Sequence, residues 1–261
     1  MTLPLFADSH CHLQLPGKNP AGNADVLLER ARVAGVTRFL VPGTTLEDSR
    51  EAVAIAARHS DVVAAVGVHP HEAKSFDPGR DGPALEALAA SPKVAAIGEV
   101  GLDFHYDLSP REKQIAVLEW MLGLARRLGK PVILHNRESG KEMLDILSRE
   151  PRRQGPGVFH SFTEDAAYGL RAIDLGYRIS FSGMITFRAA DNIRSAAAGL
   201  PLESMLLETD TPFLAPVPHR GKPGEPAFVV ETAKALASVK NTSLASVAEA
   251  TTANFVSLFC R

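Results

Sequence analysis

Short apolar runs alternate with amphipathic stretches along the chain. The runs are Leu5 to Ser9, Arg38 to Val41, Val62 to Val68, Val94 to Val100, Pro131 to Leu134, Gly157 to His160, Tyr177 to Phe181 and Met205 to Glu208. Their length and spacing predict eight strands. Apolar residues at helical spacing fill the intervals, as in Ala24 to Ala34, Leu46 to Arg58, Pro110 to Leu128, Gly140 to Arg149, Glu164 to Leu175, Arg188 to Ala198 and Pro226 to Val239. Strand and helix repeated eight times predict parallel strands, because each crossover carries a helix back over the sheet. Ser109-Pro110-Arg111-Glu112 predicts the start of the longest helix, with Ser109 as N-cap, Pro110 in the first turn and Glu112 closing a capping box. Ser243 to Phe259 predicts one further helix, covering an end or side of the assembly.

The connections are uneven. Segments leading into strands are short and marked by glycine, as at Ala34-Gly35-Val36 and Leu128-Gly129-Lys130. Segments leaving strands include the long stretches Gln14 to Asn23, Ala73 to Pro83 and Ala215 to Pro226. Long loops on one face predict an α/β fold of the (β/α)8 TIM-barrel type, with residues 1–261 forming a single domain and the site at the C-terminal ends of the strands. An open doubly wound sheet is the alternative, but the glycine-rich turn it uses after its first strand is absent.

Composition narrows the class. A chain of 261 residues, 45% hydrophobic, can bury a large core. No apolar stretch approaches the ~20 residues that span a membrane, and the N-terminus lacks a basic-then-apolar leader, so the expectation is a cytoplasmic protein without a membrane partner. Two cysteines, Cys11 and Cys260, suit reducing surroundings. The net charge of −2 argues against coating duplex DNA by general electrostatics and leaves room for a local cationic cleft.

Chemistry gathers at the strand ends. Asp8-Ser9-His10-Cys11-His12 follows the first strand, and residues two apart on an extended chain share a face, so both imidazoles can grip one ion. Taken alone, the pair is read more readily as surface or capping histidines. The other strand ends change that balance: Gly67-Val68-His69-Pro70-His71, Gly98-Glu99-Val100-Gly101-Leu102-Asp103, His135-Asn136-Arg137, His160-Ser161-Phe162 and Glu208-Thr209-Asp210. Burying so many imidazoles and carboxylates together is costly unless cations or hydrogen bonds compensate.

Taken in order, these motifs, with Leu207-Glu208-Thr209-Asp210-Thr211-Pro212 and the later Pro218-His219-Arg220-Gly221-Lys222, resemble the TatD family of metal-dependent deoxyribonucleases within the amidohydrolase-like barrels. The resemblance covers nearly the whole chain. It implies two divalent metal ions: His10, His12 and Asp210 on one, His135 and His160 on the other, and Glu99 bridging them. Nitrogen and carboxylate ligands favour zinc or manganese, whereas magnesium prefers oxygen donors. The implied reaction is attack of an acidified water on a phosphodiester of DNA, with Glu99 and Asp210 as catalytic residues and Asp210 orienting the water or accepting its proton.

Further residues have paired readings. His69 either donates to a phosphate oxygen or supports a ligand, and His71 shapes its loop. Arg137 either contacts phosphate bidentately or pairs with Glu138 or Asp103. Arg220, with His219 and Lys222, either tracks a nucleic-acid backbone or forms a solvated basic loop. Glu208 supports a ligand, and Cys11 packs away from its histidine neighbours. Trp120 belongs to a helix, and no aromatic ladder for stacking bases is evident. Two positions depart from the family pattern: Thr163-Glu164 brings an acid close to the site, where it either caps the next helix or repels phosphate, and Gly224 stands where asparagine is common.

Three functions follow as expectations. The first is a nuclease acting on single-stranded DNA or DNA ends. The second is a hydrolase of a small phosphoester, ester or amide, and the third is a non-catalytic protein with structural metals. The oligomeric state stays open, a monomer included.

Overall fold

Capping side chains set several of the helix starts. A computed structural model describes residues 4–15, 22–152 and 154–260. Asn23 accepts the Val26 amide to start α1 (Ala24–Val33), and Thr45 accepts the Asp48 amide to start α2 (Leu46–Arg58). Asp165 does the same for α6 (Ala166–Asp174) and Ser243 for α9 (Leu244–Phe259). The remaining helices are α3 (Gly82–Ala89), α4 (Arg111–Leu128), α5 (Gly140–Leu147), α7 (Asp191–Gly199) and α8 (Val229–Val239). Helix α4 stops at Gly129, whose φ of 66° is the left-handed conformation that glycine adopts without steric penalty.

The strands are β1 (Phe6–Asp8), β2 (Val36–Pro42), β3 (Val62–Val66), β4 (Val94–Asp103), β5 (Val132–Arg137), β6 (Gly157–Phe159), β7 (Arg178–Phe181) and β8 (Met205–Leu207). They pair in parallel and in chain order. The first and last strands meet through the Ser9 amide, which donates to the Leu207 carbonyl at 2.9 Å, and through a parallel bridge between Cys11 and Thr211. The architecture is the expected (β/α)8 barrel.

Inside the barrel, Ala7, Leu40, Ala65, Ala96, Ile133, Val158 and Leu206 form one apolar layer. The alternate residues of the same strands, such as Phe39, Val66, Val132 and Phe159, belong to the larger cluster shared with the helices. Burial on both faces explains why the strands read as continuous apolar runs. Helix α9 closes one end: Phe255, Leu258 and Phe259 pack against the interior layer. Its Asn254 donates to the Leu202 and Met205 carbonyls, in the turn before β8 and at its start, and Thr252 donates to the Leu5 carbonyl just before β1. The C-terminal helix is therefore the plug of the N-terminal barrel mouth, leaving the opposite end for chemistry.

Some local expectations are corrected. Ser109 is not the N-cap of α4: the helix begins one residue later, with Pro110 in the cap position and no capping side-chain bond. The Ser109 hydroxyl instead donates to the His71 carbonyl and accepts the Lys74 amide, because the preceding strand loop needs those bonds. The stretch from Ala73 to Pro83 is not wholly loop, since a 3-10 turn runs through Ser75 and α3 begins at Gly82. Strand β4 extends three residues past Val100, pairing to Arg137 of β5. Part of the loop expected from Gln14 to Asn23 lies outside the described residues.

Candidate metal centre

Strand β1 ends at Asp8, before either histidine, yet the alternation continues. The Cys11–Thr211 bridge keeps the chain extended: the His12 amide donates to Thr211, and the Asp210 amide donates to the His10 carbonyl. Cys11 turns outward, fully buried, with its thiol 3.5 Å from the Leu40 carbonyl. His10 and His12 turn inward, their Nε2 atoms 3.1 Å apart. Asp8 clamps this junction by accepting the Thr209 amide and hydroxyl and the His10 amide. Burial pushes its pKa up to about 8 against the pull of those bonds.

Glu99 sits where β4 bulges. Ile97 pairs with Val132 and Val100 with Leu134, so β4 carries one extra residue. Gly98 approaches Ile133 so closely that a Cβ at this position would lie 2.8 Å from the Ile133 Cβ. The bulge delivers the Glu99 carboxylate to the barrel axis, where its two oxygens face different partners. Oε2 lies 3.2 Å from His10 Nε2 and 3.6 Å from His12 Nε2. Oε1 lies 2.9 Å from His160 Nε2, 3.0 Å from His135 Nδ1 and 3.3 Å from His69 Nε2. Asp210, in a left-handed conformation at φ 58°, brings Oδ1 to 3.7 Å from His10 Nε2 and 3.6 Å from His12 Nε2.

Behind these groups stands a second set of carboxylates. Asp103 Oδ2 accepts from His135 Nε2 at 3.1 Å and from His71 Nε2 at 2.9 Å, while its Oδ1 accepts the amides of His105 and Tyr106. Gln114 of α4 holds this strand end by bonding both the amide and the carbonyl of Asp103. Glu208, fully buried, accepts the Ser161 amide at 2.7 Å and lies 3.4 Å from His160 Nδ1. The support role expected for Glu208 is thus visible in its contacts. Asp103 has the same role for His135, a role the sequence did not assign, since it showed Asp103 only as one of the polar groups near the end of the fourth strand and as a partner for Arg137. The available signal was its position at the end of the fourth predicted strand.

Burial opposes charge throughout the site, but the opposite charges prevail at most groups. Glu99 is held well below the usual carboxylate range by His160, His69 and His10, and Asp210 is lowered by its bond to His12. His160 is raised by Glu99 and Glu208, His12 by Asp210 and Glu99, and His135 by Asp103 and Glu99. His10 and His69 go the other way, with burial lowering both and His69 reaching about 4. The two carboxylates therefore stay ionised, with positive charge shared among crowded imidazoles. A divalent cation performs that role with deprotonated ligands.

The donor set fits such a cation. Five imidazole nitrogens surround one carboxylate at 2.9 to 3.6 Å. The buried Nδ1 atoms of His10 and His12 have no hydrogen-bond partner among the described residues, so their rings are not held by protein bonds on the far side. Three groups bring their ligand atoms within 4.8 Å of one another: His10, His12 and Glu99; His10, His160 and Asp210; and His69, Glu99 and His135. All six residues expected as ligands thus converge, and His69 joins them, its Nε2 3.3 Å from Glu99 Oε1.

The other expected site residues lie further out. Arg137 is exposed, its guanidinium 4.6 Å from the centre of the Tyr106 ring, while Glu138 pairs with His105. Arg220 lies over Phe187 at 3.8 Å, and His219 stacks on Phe228. Glu164 accepts from Asn136 at 2.9 Å, leaving the cap of α6 to Asp165. The Gly224 amide donates to the Pro212 carbonyl. Trp120 packs edge-on against Phe76, away from the site.

Comparison with known proteins agrees with this geometry. Residues 7–260 match the family described as TatD related DNase. The uncharacterized metal-dependent hydrolase YcfH of Escherichia coli is 40% identical over 255 residues, covering 97% of this chain and 95% of its own length. The uncharacterized metal-dependent hydrolase TatD of Mycobacterium tuberculosis is 37% identical, with 95% and 96% covered. Among solved structures, the TatD homologue YJJV of Escherichia coli superposes with a TM-score of 0.90 at 33% identity, with 98% of each chain covered. With its barrel, its convergent histidines and carboxylates and these relatives, the chain belongs to the TatD family of metal-dependent hydrolases.

Proposed function

We propose that this protein hydrolyses phosphodiester bonds of DNA at single strands or ends, using two divalent ions in the barrel mouth. The observation that carries this reading is the division of Glu99, one oxygen toward His10 and His12 and the other toward His135, His160 and His69. His10, His12 and Asp210 with Glu99 Oε2 would hold one ion, and His135 and His160 with Glu99 Oε1 the other. Divalent ions held there would supply acidity to a bound water and offset the negative charge that develops on a phosphodiester. Zinc or manganese suits the nitrogen-rich set better than magnesium.

The chain's own residues supply the rest. Asp210 is partly exposed and reaches the mouth, where it orients the attacking water and accepts its proton. The water oxygen joins phosphorus, the bond to the leaving sugar oxygen breaks, and the proton taken by Asp210 passes to that oxygen. His69 Nε2, neutral because burial lowers its pKa, donates to a phosphate oxygen. Arg137, at the end of β5, and Arg220, on a loop of the same face, contact flanking phosphates. The net charge of −2 favours a second reading, a small phosphoester, ester or amide substrate, because no broad basic surface is needed to bind it.

The test is a comparison of substrates. Purified protein stripped by chelator and reloaded with zinc, manganese or magnesium is challenged with end-labelled single- and double-stranded DNA, small phosphoesters and amides. Cleavage of single-stranded DNA that disappears on stripping and returns on reloading is the expected outcome. Cleavage of small substrates alone overturns the nuclease reading. Glu99→Ala should remain folded by circular dichroism while losing both bound metal and cleavage, and full activity in that variant overturns the two-ion arrangement.

A further inference from the structure

Among the described residues, nine large apolar side chains stand exposed, and two of these, Tyr106 and Phe213, are aromatic. Both lie on loops at the barrel mouth, Tyr106 beyond the end of β4 and Phe213 three residues beyond Asp210. Tyr106 is 53% exposed and Phe213 45% exposed. Phe213 abuts the cluster around Glu99 directly, and Tyr106 is one imidazole away from it. The Phe213 ring centre is 6.3 Å from that of His12, in an edge contact. The Tyr106 ring centre is 5.6 Å from that of His71, which in turn is 4.4 Å from His69 and 6.2 Å from His135. The two rings thus flank the site on its two sides, one beside the His12 and Asp210 half and one beside the His69 and His135 half.

Neither ring is on a loose tether. The Phe213 amide donates to the Asp210 carbonyl at 2.8 Å, and the preceding Pro212 carbonyl accepts the Gly224 amide at 2.9 Å. The Tyr106 amide donates to Asp103 Oδ1 at 2.9 Å, the same carboxylate that holds His135. Arg137 lies over the Tyr106 ring at 4.6 Å, so that ring carries a cation on one face. Exposed rings fixed in place beside a hydrolytic centre suit a partner with flat π-faces, joined to a charge that the centre itself attracts.

We infer that Tyr106 and Phe213 are stacking platforms for the nucleobases on either side of the phosphodiester to be cut, which makes an unpaired strand the ligand. This inference rests on the phosphodiester reading given above. Bases within a duplex are stacked on one another and offer no free face, whereas a single strand can turn successive bases onto protein rings. Arg137 then serves two roles, backing Tyr106 and meeting the adjacent phosphate.

The test compares two oligomers of equal length, one of ordinary single-stranded deoxynucleotides and one of abasic sites carrying the same phosphates. With metal-loaded full-length protein, wild type should prefer the base-bearing oligomer. Tyr106→Ala and Phe213→Ala should each reduce that preference about tenfold through KM, the range found when a stacking residue is truncated. Phe213→Trp should retain it, and circular dichroism should show all variants folded. Binding is read separately, by quenching of a 2-aminopurine base placed beside the scissile phosphate. Quenching that depends on the two rings without any cleavage overturns the phosphodiester reading and keeps the stacking sites. Cleavage with an unchanged preference in both variants overturns the stacking sites and keeps the phosphodiester reading. Absence of both quenching and cleavage overturns both.

Discussion

One oxygen of Asp103 accepts from two imidazoles, and that contact decides which nitrogen of His135 faces the site. With Nε2 held at 3.1 Å by the carboxylate, Nδ1 is the atom presented to Glu99 and to any ion there. A partner that orients a metal-binding histidine contributes about 10–100-fold to metal affinity, so Asp103→Asn should weaken retention of one of the two ions by that order. Competition with a coloured chelator measures it. Asparagine keeps an oxygen for the His105 and Tyr106 amides, so the turn should survive, and unchanged metal affinity would sink the orienting role. Residue types at this scale were legible in sequence: His10, His12, Glu99, His135, His160 and Asp210 all reach one place. The atoms they use were not, because ring orientation depends on partners such as Asp103 and Glu208, supplied by other strands.

At the scale of elements, α9 is the piece whose purpose only packing reveals. Its amphipathic pattern announces a helix, and its Ser243 cap announces where it starts, but nothing in that pattern says which surface it covers. In the fold it plugs the barrel floor with Phe255, Leu258 and Phe259. Phe255 is almost wholly buried, so Phe255→Ala should cost about 3–5 kcal/mol of stability. Urea unfolding should show a lower midpoint with little change in slope, and the metal site, at the other end of the barrel, should keep its metal stoichiometry below the transition. A loss under 1 kcal/mol would mean that the helix is not integral to the core. The Ser109 cap failed at the same scale for a related reason. The hydroxyl is a good cap locally, but two backbone groups of the loop after β3 compete for it, and the tertiary contact wins.

For the molecule as a whole, net charge and site charge tell different stories. At −2 overall, the protein has no general attraction for a polyanion, so binding must come from the mouth itself. If Arg137 and Arg220 are the main protein cations that replace counterions, the affinity for single-stranded DNA should fall with salt at a log–log slope of roughly −1.4, from about −0.7 per phosphate contact. Fluorescence anisotropy of a labelled oligomer across a salt series measures it, and a slope steeper than about −4 would reveal a basic surface beyond these two residues. No helix among the described residues is long and apolar enough to cross a membrane.

Sequence by itself determined the alternation of strands and helices, the face that bears the long loops and the strand ends that carry imidazoles and carboxylates, whereas the choice of six ligands among them is what the family resemblance implies. Those depend on periodicity and on the rule that a strand's end points into the mouth, and both are local. Tertiary structure alone decided the bulge that aims the two oxygens of Glu99 apart, the carboxylates behind His135 and His160, the plugging of the floor by α9 and the meeting of Tyr106 and Phe213 at one rim. Each of these joins residues far apart in the chain. Their energies come from burial and from hydrogen bonds that exist only once the barrel has closed.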